Sequence, residues 1–535
     1  MHTPTFVKNL SRVLWGLIAL AAIIAVFSGR GLAAGSKDAA NAWHGPKAKY
    51  VFLFIGDGLG LQQISSAEIY QASLKNSSKP SGEKLSFSAF ANQGMATTYS
   101  TNSFITDSAP AGTALATGYK TENGVIGVDP SKTRKFSTIA EEAKAAGMKV
   151  GIVSTVSLNH ATPASFYAHV PSRNSYYDIG LQLLNNRFDY VAGGGLHKHA
   201  DKDASGNPRQ DLYDIAKDKG FTVVRDRDSI LALKPGKAPV LAVNPVLDSS
   251  DAMPYAMDKG ASEVSLARFV DKGIELLKNP KGFFMMVEGG KIDWACHAND
   301  AAASIHDILA FNDAVKVALD FAKKHPADTL IVVTGDHETG GLGIGFAGTQ
   351  YSTFFDKIGG QRESYLAFDK EIADLRKTKG AQATLDDIKD SMAANFGLKI
   401  STPEEWESLR QKAKAGDKEA AKTLGLTLSP LEQGRLKDAL AASMADKKDK
   451  DPTSQDYLLY GGYEPLSIAI THILNNKAGI GWTSYAHTGI PVPVFASGTG
   501  SSIFRGYYDN TDVAWKIFNI MGLKTLAPIT TASAQ

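Results

Sequence analysis

A carboxylate at the end of an apolar run, a second one five residues on and an imidazole four beyond that could together hold a metal ion. They stand in Phe283-Phe-Met-Met-Val-Glu288-Gly-Gly-Lys-Ile-Asp293-Trp-Ala-Cys-His297. Five consecutive apolar residues predict a buried strand that stops at Glu288. If the piece after it is helical, Asp293 and His297 project from one face, which suits two ligands of one ion. Other parts of the chain offer similar donors. Tyr50–Ile55 is an apolar run ended by Gly56-Asp57-Gly58, and Thr334-Gly335-Asp336-His337 follows the run Leu330–Val333. His487 lies in Ala486-His487-Thr488-Gly489, just before a last apolar run. A single histidine is more often packed or solvated than a ligand. The set Asp57, Glu288, Asp293, His297, Asp336, His337 and His487 is different, because its acids gather at predicted strand ends. Carboxylate and imidazole mixtures suit zinc, and an oxygen-only subset suits magnesium.

A nucleophile is available in Thr106-Asp107-Ser108-Ala109-Pro110-Ala-Gly112. Small residues continue at helical spacing, which places Ser108 near a helix N-terminus, where N–H groups and the helix dipole favour an anion such as phosphate. A Ser/Thr/Asp cluster in that position is ordinarily a cap, and a serine hydroxyl needs a base or a metal to attack anything. No Gly-x-Ser-x-Gly elbow surrounds Ser108, which argues against a Ser-His-Asp hydrolase. Cys296, the single cysteine, points about 100° away from His297 on a helix and is expected to pack. His169 and His306 are read as structural.

The elements that must position these groups alternate along the chain. Strands are expected at Tyr50–Ile55, Lys149–Ser154, Phe188–Ala192, Phe221–Val224, Val240–Val243, Phe283–Val287, Thr329–Thr334 and Val492–Ala496. Helical patterns between them include Thr138–Ala146, Tyr176–Leu184, Glu263–Leu277 and Ala301–Ala322. This alternation predicts an α/β fold, a central and mostly parallel β-sheet with helices on both faces. In such sheets ligands gather at the carboxyl ends of strands. From 352 to 475 the chain turns to Lys, Glu, Ala and Leu at helical spacing. Thr402-Pro403-Glu404-Glu405 and Ser429-Pro430-Leu431-Glu432 read as helix starts.

The formal net charge of +2 gives no pull toward nucleic acid or an anionic membrane. Lys8 and Arg12 precede an apolar run, Val13–Phe27, with small residues after it, in the order of a secretory signal. The expected organisation is a signal peptide at 1–34 and a linker at 35–49. A core at 50–351 and 476–525 is interrupted by a helical insertion or cap at 352–475, and a tail occupies 526–535. Export to the periplasm or medium follows, with membrane attachment only if the N-terminal segment is not cleaved.

The ordered motifs resemble those of the alkaline phosphatase family. They are Ile55-Gly-Asp-Gly-Leu-Gly60, Thr106-Asp-Ser-Ala109, His160-Ala-Thr-Pro163 through His169-Val-Pro-Ser-Arg173, Glu288 to His297, Thr334 to Glu338 and His487-Thr-Gly489. The helical block falls outside this core resemblance. The resemblance implies hydrolysis of small phosphate monoesters through a phosphoserine on Ser108, at a centre of two Zn²⁺ and one Mg²⁺. It implies Asp293, His297 and His487 at the first zinc and Asp57, Asp336 and His337 at the second. Asp57, Thr162 and Glu288 would hold the third ion, and Arg173 would grip two phosphate oxygens. A homodimer is a common family assembly. His160 and Trp294 stand where an aspartate supporting the magnesium and a phosphate-contacting lysine are often found, so weak product retention is expected. Rival readings are a phosphodiesterase of the same superfamily, a sulfatase and a non-catalytic exported metal-binding protein. A sulfatase would want an arginine after the proline of Ser108-Ala-Pro-Ala-Gly112, and none is there.

Overall fold

Apolar runs become strands that lie side by side, and the reactive acids come to rest where those strands stop. The computed structural model describes residues 43–75, 83–203, 205–236, 239–446 and 448–523. The signal at 1–34, most of the linker and the tail at 526–535 lie outside the described residues. Among the described residues no helix is long and apolar enough to cross a membrane.

The main sheet has ten strands: β1 Tyr50–Gly56, β2 Asn92–Thr97, β3 Lys149–Ser154, β4 Tyr190–Gly193, β5 Thr222–Val224, β6 Val240–Val243, β7 Phe283–Gly289, β8 Thr329–Gly335, β9 Val492–Gly498 and β10 Gly506–Asp509. Their spatial order is β10-β2-β9-β8-β1-β7-β3-β4-β6-β5. Only β9 runs against its neighbours, β8 and β2. Every residue of β1, β7 and β8 is buried, as expected for strands covered by helices on both faces. The expected strands are present with ends shifted by one or two residues. Two were not legible: β2, Asn-Gln-Gly-Met-Ala-Thr, is polar and glycine-containing, and β10 is short. Both are set by pairing, β2 with β9 and β10 with β2.

The long helix Ala301–Lys324 covers one face. Its Phe311 meets Phe54 of β1 edge-on at 5.8 Å between ring centroids and Phe87 at 6.0 Å. Cys296 is buried with Sγ 3.3 Å from Ser304 Oγ, in keeping with packing. Residues leading into β1 are already tied down, since the Ala48 N–H donates to the Ile520 carbonyl. Within 352–475 the helices include Tyr365–Lys379, Pro403–Lys414 and Pro430–Met444, and Pro465–Ala478 starts in the same stretch. Thr402 with Glu405 and Ser429 with Glu432 form reciprocal capping boxes.

Asp307 is buried on the long helix and accepts the Ala256 N–H at 3.0 Å. Burial pushes its carboxyl up to about 7. The unfolded chain ionises this group near about 4, so between those values the native state holds a proton that the unfolded state has lost. Stability from this residue therefore falls as pH rises through that window. Asp307→Asn keeps the acceptor and is expected to raise stability by about 1–2 kcal/mol near pH 8 and by little near pH 4. Thermal melts across that range check this; an equal shift at every pH would contradict it.

Candidate metal and nucleophile site

Three neighbouring strands bring three carboxylates to one end of the sheet. Gly56 of β1 is level with Gly289 of β7 and Gly335 of β8. Asp57 and Asp336 each follow directly, and Glu288 is paired with Ile55 one step earlier. The turn after β1 requires glycine at 58. Its φ is +72°, and a Cβ there would lie 2.9 Å from the Asp293 Cα. This close approach lets the helix Lys291–His297, which begins just after β7, carry Asp293 against the strand ends.

The imidazoles are oriented from behind. His297 Nδ1 lies 2.6 Å from the Tyr485 carbonyl and His487 Nδ1 lies 2.8 Å from the Thr106 carbonyl. A carbonyl can only accept, so Nδ1 carries a proton in each ring and Nε2 is the atom turned toward the donor group. Those two Nε2 atoms are 3.0 Å apart. Asp293 faces both, with Oδ2 3.4 Å from His297 and Oδ1 3.7 Å from His487. His337 presents Nε2 to Asp57 Oδ1 at 3.3 Å, to Asp336 Oδ2 at 3.4 Å and to Ser108 Oγ at 3.1 Å. In each of three groups the donor atoms lie within 4.8 Å of one another: Asp293, His297 and His487; Asp57, Asp293 and His337; Asp57, His160 and Glu288. Thr162 joins the last through Oγ1, which donates to Asp57 Oδ2 at 3.2 Å.

Ser108 opens the helix Ser108–Thr117 and is buried. Asp107 caps this helix by accepting the Ala109 N–H at 2.7 Å, and the same Oδ1 is 3.3 Å from Arg173 Nη1. Arg173 Nη2 is 3.2 Å from His160 Nε2. Trp294 lies edge-on to His160, with centroids 5.9 Å apart. Ser108, His160, Arg173, Asp293, Trp294, His297 and His487 open onto one cavity of about 380 Å³.

The family model described as alkaline phosphatase matches residues 48–424 and 438–523. The chain belongs to the alkaline phosphatase family. It is similar to alkaline phosphatase 4 of Bacillus subtilis strain 168, at 32% identity over 97% of this chain and 99% of the relative. Among solved structures, the cold-active alkaline phosphatase of Shewanella sp. superposes with a TM-score of 0.68 at 28% identity, covering 88% of this chain and 99% of that one. The alkaline phosphatase of the Antarctic bacterium TAB5 superposes at 0.56 with 26% identity, over 90% of this chain and 99% of that one, and a His-to-Asp variant of it holds Mg in its M3 site. The matched region includes most of the helical block as well as the sheet.

The electrostatics of this phosphatase call for cations. Burial raises Asp57 well above the usual carboxylate range, helped by the charges of Asp336, Asp293 and Glu288. Burial likewise raises Asp336 well above its ordinary value and Glu288 to about 7. Burial alone would raise Asp293 too, yet His297, His487 and His337 hold it well below the usual range. Burial lowers His337 well below its ordinary value and His160 to about 3, so both rings are neutral. Asp57 Oδ1, Glu288 Oε1, Asp336 Oδ2 and His160 Nδ1 are buried with no hydrogen-bond partner. Such atoms are costly unless something binds them, and the three carboxylate oxygens, with the His297, His337 and His487 imidazoles beside them, fit metal ions.

Sequence reasoning did not find several residues that hold this arrangement. Thr339 donates to Asp293 Oδ1 at 2.5 Å and lies 3.2 Å from His337 Nδ1. Ser154, at the end of β3, hydrogen-bonds Glu288. Thr339 sits three residues past Asp336 and could have been found there, whereas Ser154 is a partner only through the β3–β7 register. His160 was read as a supporting residue and stands among the donors of the third group.

Proposed function

We propose that this enzyme hydrolyses phosphate monoesters to an alcohol and inorganic phosphate through a phosphoserine on Ser108. The reading is carried by the convergence of Ser108 Oγ, Asp57 Oδ1 and Asp336 Oδ2 on one nitrogen, His337 Nε2. In a Ser-His-Asp triad the carboxylate would hold the opposite ring nitrogen. Here that nitrogen faces the Thr339 hydroxyl, and the oxygens crowd the lone pair instead. Crowded acceptors around one point suit a shared cation.

Asp293, His297 and His487 would hold one Zn²⁺, and Asp57, Asp336 and His337 a second. Asp57, Thr162 and Glu288, with His160 beside them, would hold Mg²⁺, a reading supported by the magnesium in the TAB5 neighbour's variant. When bound, these ions supply positive charge that lowers the pKa of the Ser108 hydroxyl and offsets the charge of a phosphoryl group. The protein's own residues do the placing. The Ser108 helix favours an anion at its N-terminus through its dipole, with the Ala109 N–H already held by Asp107 and Pro110 lacking one. Asp107 fixes both that N-terminus and the Arg173 guanidinium, whose planar fork suits two phosphate oxygens. Neutral His160 accepts from Arg173 and keeps it aimed into the cavity. Trp294 brings no charge, so product phosphate is held weakly. Export through the N-terminal segment and assembly as a homodimer belong to the same proposal.

Metal analysis alongside activity tests this reading. Chelation is expected to remove Zn²⁺ and Mg²⁺ and to lower aryl monoester turnover by more than about a hundredfold, with recovery on adding both ions. Diester turnover should be far slower throughout. Comparable turnover of the diester, or activity indifferent to chelation, would contradict it.

A further inference from the structure

The cavity that holds Ser108 and Arg173 has a second wall, made of Trp294, Tyr365 and Tyr463 with Ser250 beside them. Tyr365 opens the helix Tyr365–Lys379, and Tyr463 lies just ahead of Pro465–Ala478. Two of the three rings thus come from the helical block, whose part in the chemistry the sequence left unread.

This wall is built to stay in place. Lys291 is fully buried, and its ammonium lies 2.7 Å from Asp248 Oδ2. The same ammonium sits over the Tyr255 ring at 4.0 Å and the Trp294 ring at 4.6 Å. Cation–π attraction of this kind strengthens when the pair is desolvated. The Tyr255 hydroxyl donates to the Tyr365 hydroxyl at 3.2 Å, and Tyr365 meets Tyr463 edge-on at 5.8 Å with planes at 90°. One buried ion pair therefore anchors Trp294 directly and the tyrosines through Tyr255.

The wall also stands on a definite side of the cavity. Trp294 follows Asp293 in sequence. Tyr463 packs 6.5 Å from the ring of Tyr485, whose carbonyl holds His297. Burial, and then the Asp293 charge, raise the Tyr463 hydroxyl above its ordinary value. The aromatic rings therefore border the Asp293, His297 and His487 group. In-line attack by Ser108 Oγ sends the leaving oxygen to the far side of phosphorus. Ser108 and the Asp293, His297 and His487 group, with its aromatic border, line this one cavity, so a leaving group that departs over that donor group meets the rings.

We infer that Trp294, Tyr365 and Tyr463 form a leaving-group subsite that favours phosphate monoesters of planar aromatic alcohols, an inference resting on the monoester reading above. The rings offer apolar surface to a flat apolar group, and none offers a charge for an acidic alcohol.

Benzyl and ethyl phosphate test it, because their alcohols are similar in acidity and differ in the ring. Steady-state kcat/KM is measured on the metal-loaded, full-length enzyme and on Tyr463→Leu and Tyr463→Ala. Tyr463→Leu keeps an apolar side chain of comparable bulk and guards against a folding defect. The wild-type benzyl-to-ethyl ratio is expected to be roughly tenfold or more, and to drop about fivefold in both variants. A wild-type ratio near one, or a ratio unmoved in both variants while ester hydrolysis persists, overturns the subsite and leaves the monoester reading standing. Failure of the wild type to hydrolyse either ester overturns both.

Discussion

Replacing Ser108 with alanine is expected to lower kcat for an aryl phosphomonoester by about a thousandfold or more. The hydroxyl is buried at the first position of its helix, 3.1 Å from His337 Nε2, and among the described residues Ser108 is the hydroxyl that both lines the cavity and contacts a donor imidazole there. Thr162 turns its hydroxyl to Asp57, and Thr339 turns its own to Asp293. Alanine removes one oxygen from a helix N-terminus that Asp107 already caps, so the fold and that helix end should survive. The expected pattern is lost turnover with phosphate binding retained. Near wild-type turnover by Ser108→Ala would mean that water, and not Ser108, attacks phosphorus.

Asp57→Asn should have an effect of similar size by a different route. Asp57 contributes an oxygen to two of the three donor groups, so one substitution disturbs both. Its amide would coordinate weakly and could present an N–H where an acceptor is needed. Activity is expected to fall by about a thousandfold, with loss of bound metal. Without metal the sign reverses. Burial, and then the charges of Asp336, Asp293 and Glu288, oppose ionisation of Asp57, and removing that charge relieves both in the metal-free protein. The metal-free variant is therefore expected to melt higher than metal-free wild type, while the rise in Tm on adding Zn²⁺ and Mg²⁺ should largely vanish. Calorimetry with and without metal measures both. A variant that melts lower than wild type without metal and gains as much from metal would contradict the placement of Asp57.

The strand-end acids were legible because each follows an apolar run, and a buried strand that stops at a carboxylate is a local signal. Asp57, Glu288 and Asp336 are all of this kind. Asp293 and His297 were legible because a four-residue spacing on a helix sets two side chains on one face. The helix starts at Thr402 and Ser429 were legible for the same reason, as a cap and its glutamate lie within one turn. What stayed hidden depends on contacts between distant segments. β2 has neither apolar continuity nor alternation and is a strand because β9 lies beside it. Ser154 serves Glu288 only through register, and the Tyr485 carbonyl reaches His297 across the chain. Tyr365 and Tyr463 carry no local mark of a site, and only the fold brings the helical block to the cavity. The ring of Trp294 illustrates the same limit. In sequence it is a missing positive charge, whereas in the fold a buried ammonium lies beneath it, with Asp248 as its partner.

The central claim is that Ser108 becomes covalently phosphorylated during turnover. Incubating the metal-loaded enzyme with an aryl phosphomonoester, quenching in acid and mapping phosphate by peptide mass spectrometry tests it directly. The account predicts one phosphate on the peptide containing Ser108, present with substrate and absent in Ser108→Ala. Rapid turnover with no phosphate on Ser108, or with phosphate on another residue, would contradict it.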